Sequence, residues 1–303
     1  MKWVKKGLIY SPPFDGSWKD NSALQPTAII INDKIRIYLC LRDDDGIGRI
    51  GFIDVDVDNP EKILKISDEP VLDIGSDGNF DDNGVAPTAV IKKDNKIFLY
   101  YAGYQLPKKV RFIAFGGLAI SLDNGNTFER YSTTPVFERT VEASLFRVPH
   151  TVLYDNKRWR FWYGGGNNYI QGTDKTLPVY NIRYLESNSP FSVPNQGREV
   201  LDTENDEHRV GRPNVIKTKD SYKMFFGYGS DKNPYQLGYA ESLDGIDWVR
   251  NDKQLGLKLS ETGWDSEMMA YPCVVEYKER TFMFYNGNEY GKYGFGYAEL
   301  IKK

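Results

Sequence analysis

Pro26-Thr-Ala-Ile-Ile-Ile31 is the first of five proline-led apolar runs that set the plan of the chain. The run returns as Pro87-Thr-Ala-Val-Ile91, Pro149-His-Thr-Val-Leu153, Pro213-Asn-Val-Ile216 and Pro272-Cys-Val-Val275, at spacings of 61, 62, 64 and 59 residues. A polar turn follows each run, and then a second, aromatic-rich run such as Ile97-Phe-Leu-Tyr-Tyr101. Two apolar runs around a short polar turn predict a β-hairpin, so the sequence predicts five hairpins.

Most of the five units continue with a third strand-like run and a short fourth one, as in Leu237-Gly-Tyr-Ala-Glu-Ser242 and Trp248-Val-Arg250. Four strands in about 60 residues are typical of a propeller blade. The fifth unit lacks a fourth run, and Trp3-Val-Lys-Lys6 resembles Trp248-Val-Arg250. The sequence therefore predicts an all-β fold: one five-bladed β-propeller domain over residues 1–303, with four-stranded blades and an N-terminal strand that closes the last blade.

Composition narrows the class of protein. The 303 residues are 40% hydrophobic, 27% charged and 14% aromatic, and 39 Lys and Arg against 42 Asp and Glu give a net charge of -3 without a basic block. Nucleic acid is therefore not an expected partner. No apolar run reaches the roughly 18 residues of a membrane span, and no signal peptide is evident, so we expect a cytoplasmic protein. Cys40 and Cys273 lie in strand-like runs and are expected to be buried free thiols.

A polar mouth is expected where the five first strands begin, because these strand starts converge on the propeller axis and the second strands end on the same face. The converging segments combine carboxylates, amides, arginines and aromatic rings, which suits a saccharide or sugar-phosphate ligand. Both histidines and three arginines fall in them; the arginines either pair with acids such as Glu142, Asp206 and Glu207 or clamp a carboxylate or phosphate. The candidate binding residues are Asp20, Gln25, Arg42, Glu142, Arg147, His150, Asn167, His208, Arg209, Arg212, Asp265, Tyr271 and Asn286.

These repeats resemble the five-bladed propeller glycosidases over essentially the whole chain: the arabinanase and β-xylosidase family, with its invertase, levansucrase and mannoside phosphorylase relatives. The resemblance implies an Asp before the first-unit proline, an Asp before the second and a Glu two residues before the third. Here Gln25, Ala86 and Arg147 hold these positions, although Pro149-His150 matches the family pattern. An amide, a methyl group and a guanidinium are unfit for acid–base catalysis, so the inherited assignment fails at each position.

Glycoside cleavage needs two carboxylates about 5–10 Å apart, without a set sequence offset. Asp82 and Glu267 are the first candidates for this catalytic pair, ahead of Asp20, Glu142, Asp265 and Glu207. The leading hypothesis is a carbohydrate-active enzyme, related to glycoside hydrolases, that hydrolyses, phosphorolyses or transfers a glycosyl unit. The alternative is a non-catalytic propeller that binds a glycan or nucleotide sugar and serves surface polysaccharide synthesis. No cofactor is expected, and no residue spacing demands a metal, although some relatives hold an axial calcium ion. Oligomeric state, sugar and linkage stay open.

Overall fold

The computed structural model describes residues 1–301, which form twenty strands and two one-turn helices; Lys302 and Lys303 lie outside the described residues. The predicted all-β class is confirmed. The strands are β1 (Trp3–Tyr10), β2 (Ser22–Ile31), β3 (Lys34–Arg42), β4 (Gly48–Asp56), β5 (Ile63–Ile66), β6 (Val85–Lys93), β7 (Lys96–Gln105), β8 (Ile113–Ser121), β9 (Glu129–Arg130), β10 (Phe146–Asp155), β11 (Arg158–Gln171), β12 (Thr176–Ser187), β13 (Arg198–Leu201), β14 (Glu207–Lys217), β15 (Tyr222–Ser230), β16 (Gln236–Ser242), β17 (Val249–Arg250), β18 (Ala270–Tyr277), β19 (Arg280–Asn286) and β20 (Phe295–Leu300). The helices are α1 (Asp252–Leu255) and α2 (Asn288–Gly291).

The five predicted hairpins are present as the antiparallel pairs β2–β3, β6–β7, β10–β11, β14–β15 and β18–β19. Turn residues such as Asn32, Asn95 and Asn156 have positive φ, the conformation that two-residue hairpin turns require. In each pair the register shifts at the recurring proline of the first strand. Proline has no N–H for the ladder, so the strand bulges there and the backbone around the proline is redirected.

The hairpins extend into five units: β2–β5, β6–β9, β10–β13, β14–β17, and β18–β20 together with β1. As the sequence predicts, β1 pairs antiparallel with β20. The units are not five separate sheets, however, because units 2, 3 and 4 join into one sheet of twelve strands. Short parallel pairings make these joins, from Phe146 and Arg147 to β8 and from Tyr180 to Arg209. Neighbouring units approach so closely near their inner ends that backbone groups pair across the gap.

The hydrophobic core lies between the units. Each of five apolar clusters combines residues of two neighbouring units. One of them, which includes Leu39 and Phe284, joins unit 5 to unit 1. The first strands follow one another in a ring, β2 beside β6, β6 beside β10, β10 beside β14, β14 beside β18, and β18 beside β2. The ring brings the starts of the five first strands to one region.

Two further sequence-based expectations concern cysteines and membrane spans. Cys40 and Cys273 are both buried and free, as predicted. None of the helices in residues 1–301 has the length and apolar character needed to cross a membrane.

Candidate functional site

A pocket of two connected chambers lies where the first strands begin and the second strands end. The outer chamber has a volume of about 310 Å³ and the inner chamber about 120 Å³. Six residues line both chambers: Gln25, Tyr104, Phe112, Tyr180, Tyr235 and Tyr271. A further cavity of about 160 Å³ lies between the first strands and shares His150 and Arg212 with the inner chamber.

Six of the residues proposed from the sequence line this pocket. Gln25 and Tyr271 line both chambers, Arg42 and Arg209 line the outer chamber, and His150 and Arg212 line the inner one. They come from four units and from positions as far apart as 25 and 271 in the chain. The ring of first strands therefore does bring these distant residues together.

Strained backbone is concentrated at the pocket. Gln25, Arg212 and Tyr271, each directly before a first-strand proline, have φ values of 57°, 54° and 58°. A residue before proline is disfavoured in helical conformations, and non-glycine residues with positive φ outside turns are uncommon. Glu289 and Tyr290, in α2, are also left-handed at φ 52° and 58°. Such strain persists only where surrounding contacts enforce it, and it is most frequent at functional sites.

Asn286 enforces the geometry at Gln25. Its amide is fully buried; Oδ1 accepts the Gln25 backbone N–H at 2.8 Å, and Nδ2 donates to the carbonyls of Ala23 and Gly294. Asn286 does not line the pocket and is a positioning residue, since it holds unit 5 against unit 1. The Gln25 side chain is left facing both chambers, with Nε2 3.4 Å from the Tyr104 hydroxyl and Oε1 without a partner.

Arg212 lies across the floor of the inner chamber. Its guanidinium donates to the carbonyls of Pro87 and Thr88 at 3.1 and 3.2 Å, to those of Gln25 and Pro26, and to Thr27 Oγ1 at 2.8 Å. No carboxylate of residues 1–301 lies within 4.0 Å of it. Burial lowers the pKa of Arg212 to about 10, so the side chain still carries its charge at neutral pH. Arg212 joins three units and places an uncompensated positive charge at the bottom of the pocket.

His150 is held neutral beside that charge. Burial, followed by the nearby Arg212, moves the pKa of His150 well below its ordinary value. An Arg212 nitrogen lies 3.3 Å from His150 Nδ1, and because a guanidinium only donates, Nδ1 must accept. The proton of the neutral ring is therefore on Nε2, which faces the inner chamber beside Gly164. His150 presents a neutral N–H donor to a ligand.

Arg42 and Arg209 provide two more positive charges, in the outer chamber. The Arg209 guanidinium stacks 4.1 Å from the centre of the Tyr235 ring and donates to the Tyr290 hydroxyl at 3.4 Å. The Nε atoms of both arginines are buried without a hydrogen-bond partner. Neither guanidinium has a carboxylate within 4.0 Å anywhere in the described part of the chain.

Aromatic rings make up the walls. Tyr104, Tyr180, Tyr235, Tyr271 and Tyr290 face the outer chamber, and all but Tyr290 also line the inner one. The Tyr180 and Tyr235 hydroxyls contact each other. Burial raises the pKa of Tyr104, Tyr180, Tyr235 and Tyr271, so these phenols stay protonated and can donate hydrogen bonds. Rings with donor tips suit a ligand that has apolar faces and hydroxyl edges.

The two carboxylates proposed for catalysis do not line the pocket. Asp82 is partly exposed and forms a local turn, accepting the Gly78 backbone N–H at 2.9 Å and the Asn83 amide at 2.7 Å. Glu267 is exposed in the loop before β18. The pocket has two other carboxylates on its rim, Asp45 and Glu289, both exposed. Hydrogen bonds from Lys292 at 3.0 Å and then from Tyr293 at 3.1 Å lower the pKa of Glu289.

Five more proposed binding residues have partners elsewhere. Asp20 accepts the Gly16 backbone N–H, Glu142 binds Tyr163 and Arg183, and Asp265 binds Lys5 at 2.6 Å and Tyr285 at 2.9 Å. Arg147, fully buried, donates to the carbonyls of Glu138 and Pro194 rather than to the pocket. His208 donates from Nδ1 to the Pro178 carbonyl at 2.7 Å.

Asn167 is exposed beyond the pocket. The binding roles of these outlying residues, and the catalytic roles of Asp82 and Glu267, stay predictions.

Sequence reasoning missed part of the aromatic wall. Phe112 and Tyr235 directly precede the third strands β8 and β16, and Tyr180 lies within the third strand β12. A third strand begins at the end where the second strand finishes, so the rule that selected second-strand ends also applies to third-strand starts. Glu289 and Tyr290 were not missed, because they belong to the segment after the second strand β19 that the sequence places at the mouth, and they line the outer chamber through the left-handed turn α2.

Within residues 1–301, no group of three or more His, Cys, Asp or Glu side chains is arranged to hold a metal ion. Beside guanidinium, phenol, imidazole and amide groups, the pocket lining includes the rim carboxylates of Asp45 and Glu289 and the thiol of Cys40.

Known proteins are similar to this chain either in sequence or in three-dimensional structure. The uncharacterized protein Rv1502 of Mycobacterium tuberculosis is 35% identical over 303 residues, covering 99% of both chains. The family model of the glycosyl hydrolases family 32 N-terminal domain matches residues 67–189. Among solved structures, a glycoside hydrolase superposes with a TM-score of 0.75 at 18% identity, over 99% of this chain and 92% of its own.

A second similar structure comes from work on the GH130 family of mannoside phosphorylases, which contains glycoside hydrolases that target β-1,2 mannosidic linkages in Candida mannan. It superposes with a TM-score of 0.71 at 13% identity, over 98% of this chain and 93% of its own. At these identities the similarity establishes a shared fold, whereas function depends on the residues of the site.

Proposed function

The chain belongs to the same family as Rv1502 of Mycobacterium tuberculosis, and from this membership and the glycoside hydrolase fold we propose that it is a carbohydrate-active enzyme whose axial pocket binds a saccharide. One observation carries the proposal: five tyrosine rings and a set of amide, imidazole and guanidinium donors line one pair of chambers. The combined volume is of the size that small-molecule pockets have.

The finer architecture belongs to the same proposal. We infer that the five units are the blades of a single five-bladed propeller, including the three that share one sheet. The ring of first strands and the apolar cluster at each unit boundary support this inference. The pocket is then the mouth of the propeller axis.

Sugar binding follows from the chemistry of the walls. A pyranose has apolar faces that stack on aromatic rings and hydroxyl edges that need paired donors and acceptors. Tyr271 and Tyr235 supply rings and phenol donors, Gln25 has an amide oxygen without a partner, and His150 Nε2 donates. These groups are held by buried contacts, so little ordering is needed when a ligand binds.

Cleavage of a glycosidic bond would use the rim carboxylates. Asp45 and Glu289 are the carboxylates that line the outer chamber, and glycoside chemistry needs a pair flanking the bond. The lowered pKa of Glu289 keeps it ionised, as a base or nucleophile requires. Asp45 is then the remaining carboxylate for proton donation. The pair Asp82 and Glu267 stays the competing proposal.

A non-catalytic saccharide-binding protein is the second candidate, and one observation favours it. The inner chamber, the most buried part of the pocket, is lined by no carboxylate of the described residues. Buried carboxylates with tuned pKa values are the usual acids and bases of glycoside cleavage. In this second candidate the pocket binds and releases its sugar unchanged.

One experiment tests both candidates: titration calorimetry and product analysis on a panel of oligosaccharides. Tyr271→Ala removes a ring from both chambers and is expected to weaken binding about 10-fold or more, while Tyr131→Ala, an exposed ring on the outer surface, leaves binding unchanged. Equal binding by these two variants contradicts the placement of the site.

Turnover separates the candidates and the two carboxylate pairs. If Asp45→Asn and Glu289→Gln abolish turnover while Asp82→Asn and Glu267→Gln keep it, the rim pair is supported; the reverse result supports the sequence-based pair. Binding without turnover of any panel member supports the non-catalytic role.

A further inference from the structure

Ion pairing of the buried arginines divides them into two groups. Five arginines are buried in residues 1–301: Arg36, Arg147, Arg160, Arg209 and Arg212. The first three, which lie between the units, have carboxylates within 4.0 Å, as in Arg36–Asp54 at 2.7 Å and Arg160–Glu186 at 3.4 Å. Arg209 and Arg212, which line the pocket, have none. Buried charges in proteins are ordinarily paired, so the pocket arginines are the exception that calls for a partner.

Arg212 finds its partners within the protein. Its hydrogen bonds to carbonyl oxygens and to Thr27 engage both terminal nitrogens of the guanidinium. The Arg209 guanidinium, by contrast, makes one long hydrogen bond, to Tyr290, and Arg42 makes no side-chain hydrogen bond among the described residues. The Nε atoms of Arg209 and Arg42 are buried and unpartnered. Two guanidinium groups in the outer chamber therefore lack the acceptors that such groups need.

The carboxylates of the outer chamber do not supply these acceptors. Asp45 and Glu289 stand on the exposed rim, more than 4.0 Å from both guanidinium groups, and Glu289 already pairs with Lys292. A bound ligand is left as the source of negative charge.

We propose that the saccharide bound in this pocket carries a phosphate ester, held between Arg42 and Arg209, and this inference rests on the proposed function. Two fixed positive charges match a group that has about two negative charges at neutral pH, and guanidinium groups bind phosphate through paired N–H donors. Arg42 and Arg209 line the outer chamber and not the inner one, whereas the tyrosines line both. The ligand is therefore elongated, with a charged end in the outer chamber and a neutral sugar directed towards Tyr271 and His150.

Titration calorimetry on the full chain tests the proposal with glucose 1-phosphate, mannose 1-phosphate, UDP-glucose, GDP-mannose, the free sugars and inorganic phosphate. We expect at least one ester to bind about 10-fold or more tightly than its free sugar, since hydrogen bonds to charged groups are worth that much. Raising the salt from about 50 mM to about 500 mM weakens ester binding and leaves sugar binding unchanged.

Arg209→Gln and Arg42→Gln are expected to weaken ester binding about 10- to 100-fold, which is a larger loss than either variant causes for the free sugar. Arg139→Gln is the matched control, because Arg139 also lacks a carboxylate within 4.0 Å in residues 1–301 but is exposed outside the pocket. Thermal denaturation of the ligand-free variants checks that each one folds.

Three results overturn the proposal. If free sugars bind as tightly as their esters, the pocket is a neutral sugar site and the proposed function stands without the phosphate. If inorganic phosphate binds as tightly as every ester, the arginines hold a free anion. If neither esters nor sugars bind, the proposed function fails together with this inference.

Discussion

Arg250 and Arg209 occupy two cavities on the same unit and differ in one respect. Both guanidinium groups stack on a tyrosine, Arg250 on Tyr228 at 4.6 Å and Arg209 on Tyr235 at 4.1 Å. Arg250 lines a separate cavity of about 380 Å³, where it donates hydrogen bonds to Glu207 at 2.8 and 2.9 Å and to Asp252 at 2.9 Å. Arg209 has no carboxylate, although Glu207 is only two residues away in β14.

This difference shows how one strand serves both structure and binding. Successive residues of a regular strand point to opposite faces, so residues two apart, such as Glu207 and Arg209, would point to the same face. They do not share a cavity, because the register of β14 against β15 shifts between them. Glu207 therefore binds Arg250, and Arg209 lines the outer chamber without a carboxylate partner. Of the four predictions that follow, the first and the last test whether Arg250 stabilises the fold and the pocket arginine Arg209 does not; the other two concern Asn286 and His150.

The largest effect is expected for Arg250→Gln. The variant leaves Glu207 with a nearly buried charge and no cationic partner, so the free energy of unfolding should fall by about 3–5 kcal/mol. Urea denaturation of the ligand-free protein measures it. Arg198→Gln, whose partner Asp247 and whose own side chain are exposed, should change stability by less than about 1 kcal/mol. Similar losses for both variants would remove the distinction between paired and exposed arginines.

Asn286→Ala is expected to have the next largest effect. It removes three buried hydrogen bonds, among them the one that holds Gln25 in its left-handed conformation, and should lower the free energy of unfolding by about 1–3 kcal/mol. Saccharide affinity should fall as well, because Gln25 is released. Asn167→Ala, at an exposed position, should cost less than about 0.5 kcal/mol. Unchanged saccharide affinity in Asn286→Ala would contradict its positioning role.

His150 is expected to make stability depend on pH. Its pKa is lowered in the folded protein, so below about pH 6.5 the unfolded chain binds a proton that the folded chain does not. The free energy of unfolding therefore has its full value, as far as His150 is concerned, above this pH. It declines as the pH falls, with a slope of at most about 1.4 kcal/mol per pH unit for one proton.

Denaturation between about pH 4.5 and 7.5 measures this decline. His150→Gln should flatten the profile more than His208→Gln, since both pKa values are lowered but that of His150 further. An unaltered profile in His150→Gln would show that the pKa of His150 is the same in the folded and unfolded chains, which contradicts its lowering by burial and Arg212.

The smallest effect is expected for Arg209→Gln in the ligand-free protein. Because Arg209 has no carboxylate within 4.0 Å in the described residues, its replacement should change the free energy of unfolding by less than about 1 kcal/mol in either direction. The same urea denaturation that compares Arg250→Gln with the parent chain measures this. A loss as large as that of Arg250→Gln would mean that Arg209 has a structural partner after all.

Much of the fold could be predicted from the sequence, because its signals are local. Hairpin turns such as Asp94-Asn95 and the recurring prolines act on their own neighbours, and the pairing of β1 with β20 follows from the repeat that lacks a strand. The joining of units 2, 3 and 4 into one sheet could not be predicted, since it depends on how closely Phe146 approaches Ala114 across a unit boundary.

The position of the pocket could be predicted from the sequence, but only some of its lining residues could. Gln25, Arg42, His150, Arg209, Arg212 and Tyr271 line the pocket because strand starts and ends converge there. Arg147 lies two residues before its first-strand proline, whereas Arg212 lies directly before its own, and the Arg147 guanidinium turns outward to the carbonyls of Glu138 and Pro194. Side-chain direction at a bulged strand depends on the bulge, which sequence spacing does not reveal.

The sequence by itself determined that five hairpins repeat and that their polar ends meet, because periodicity and turn chemistry operate over a few residues. Only the tertiary structure decided which charges find a partner. Pairing depends on distances between units far apart in the chain, and so Glu207 reaches Arg250 while Arg209 and Arg42 face the pocket unpaired.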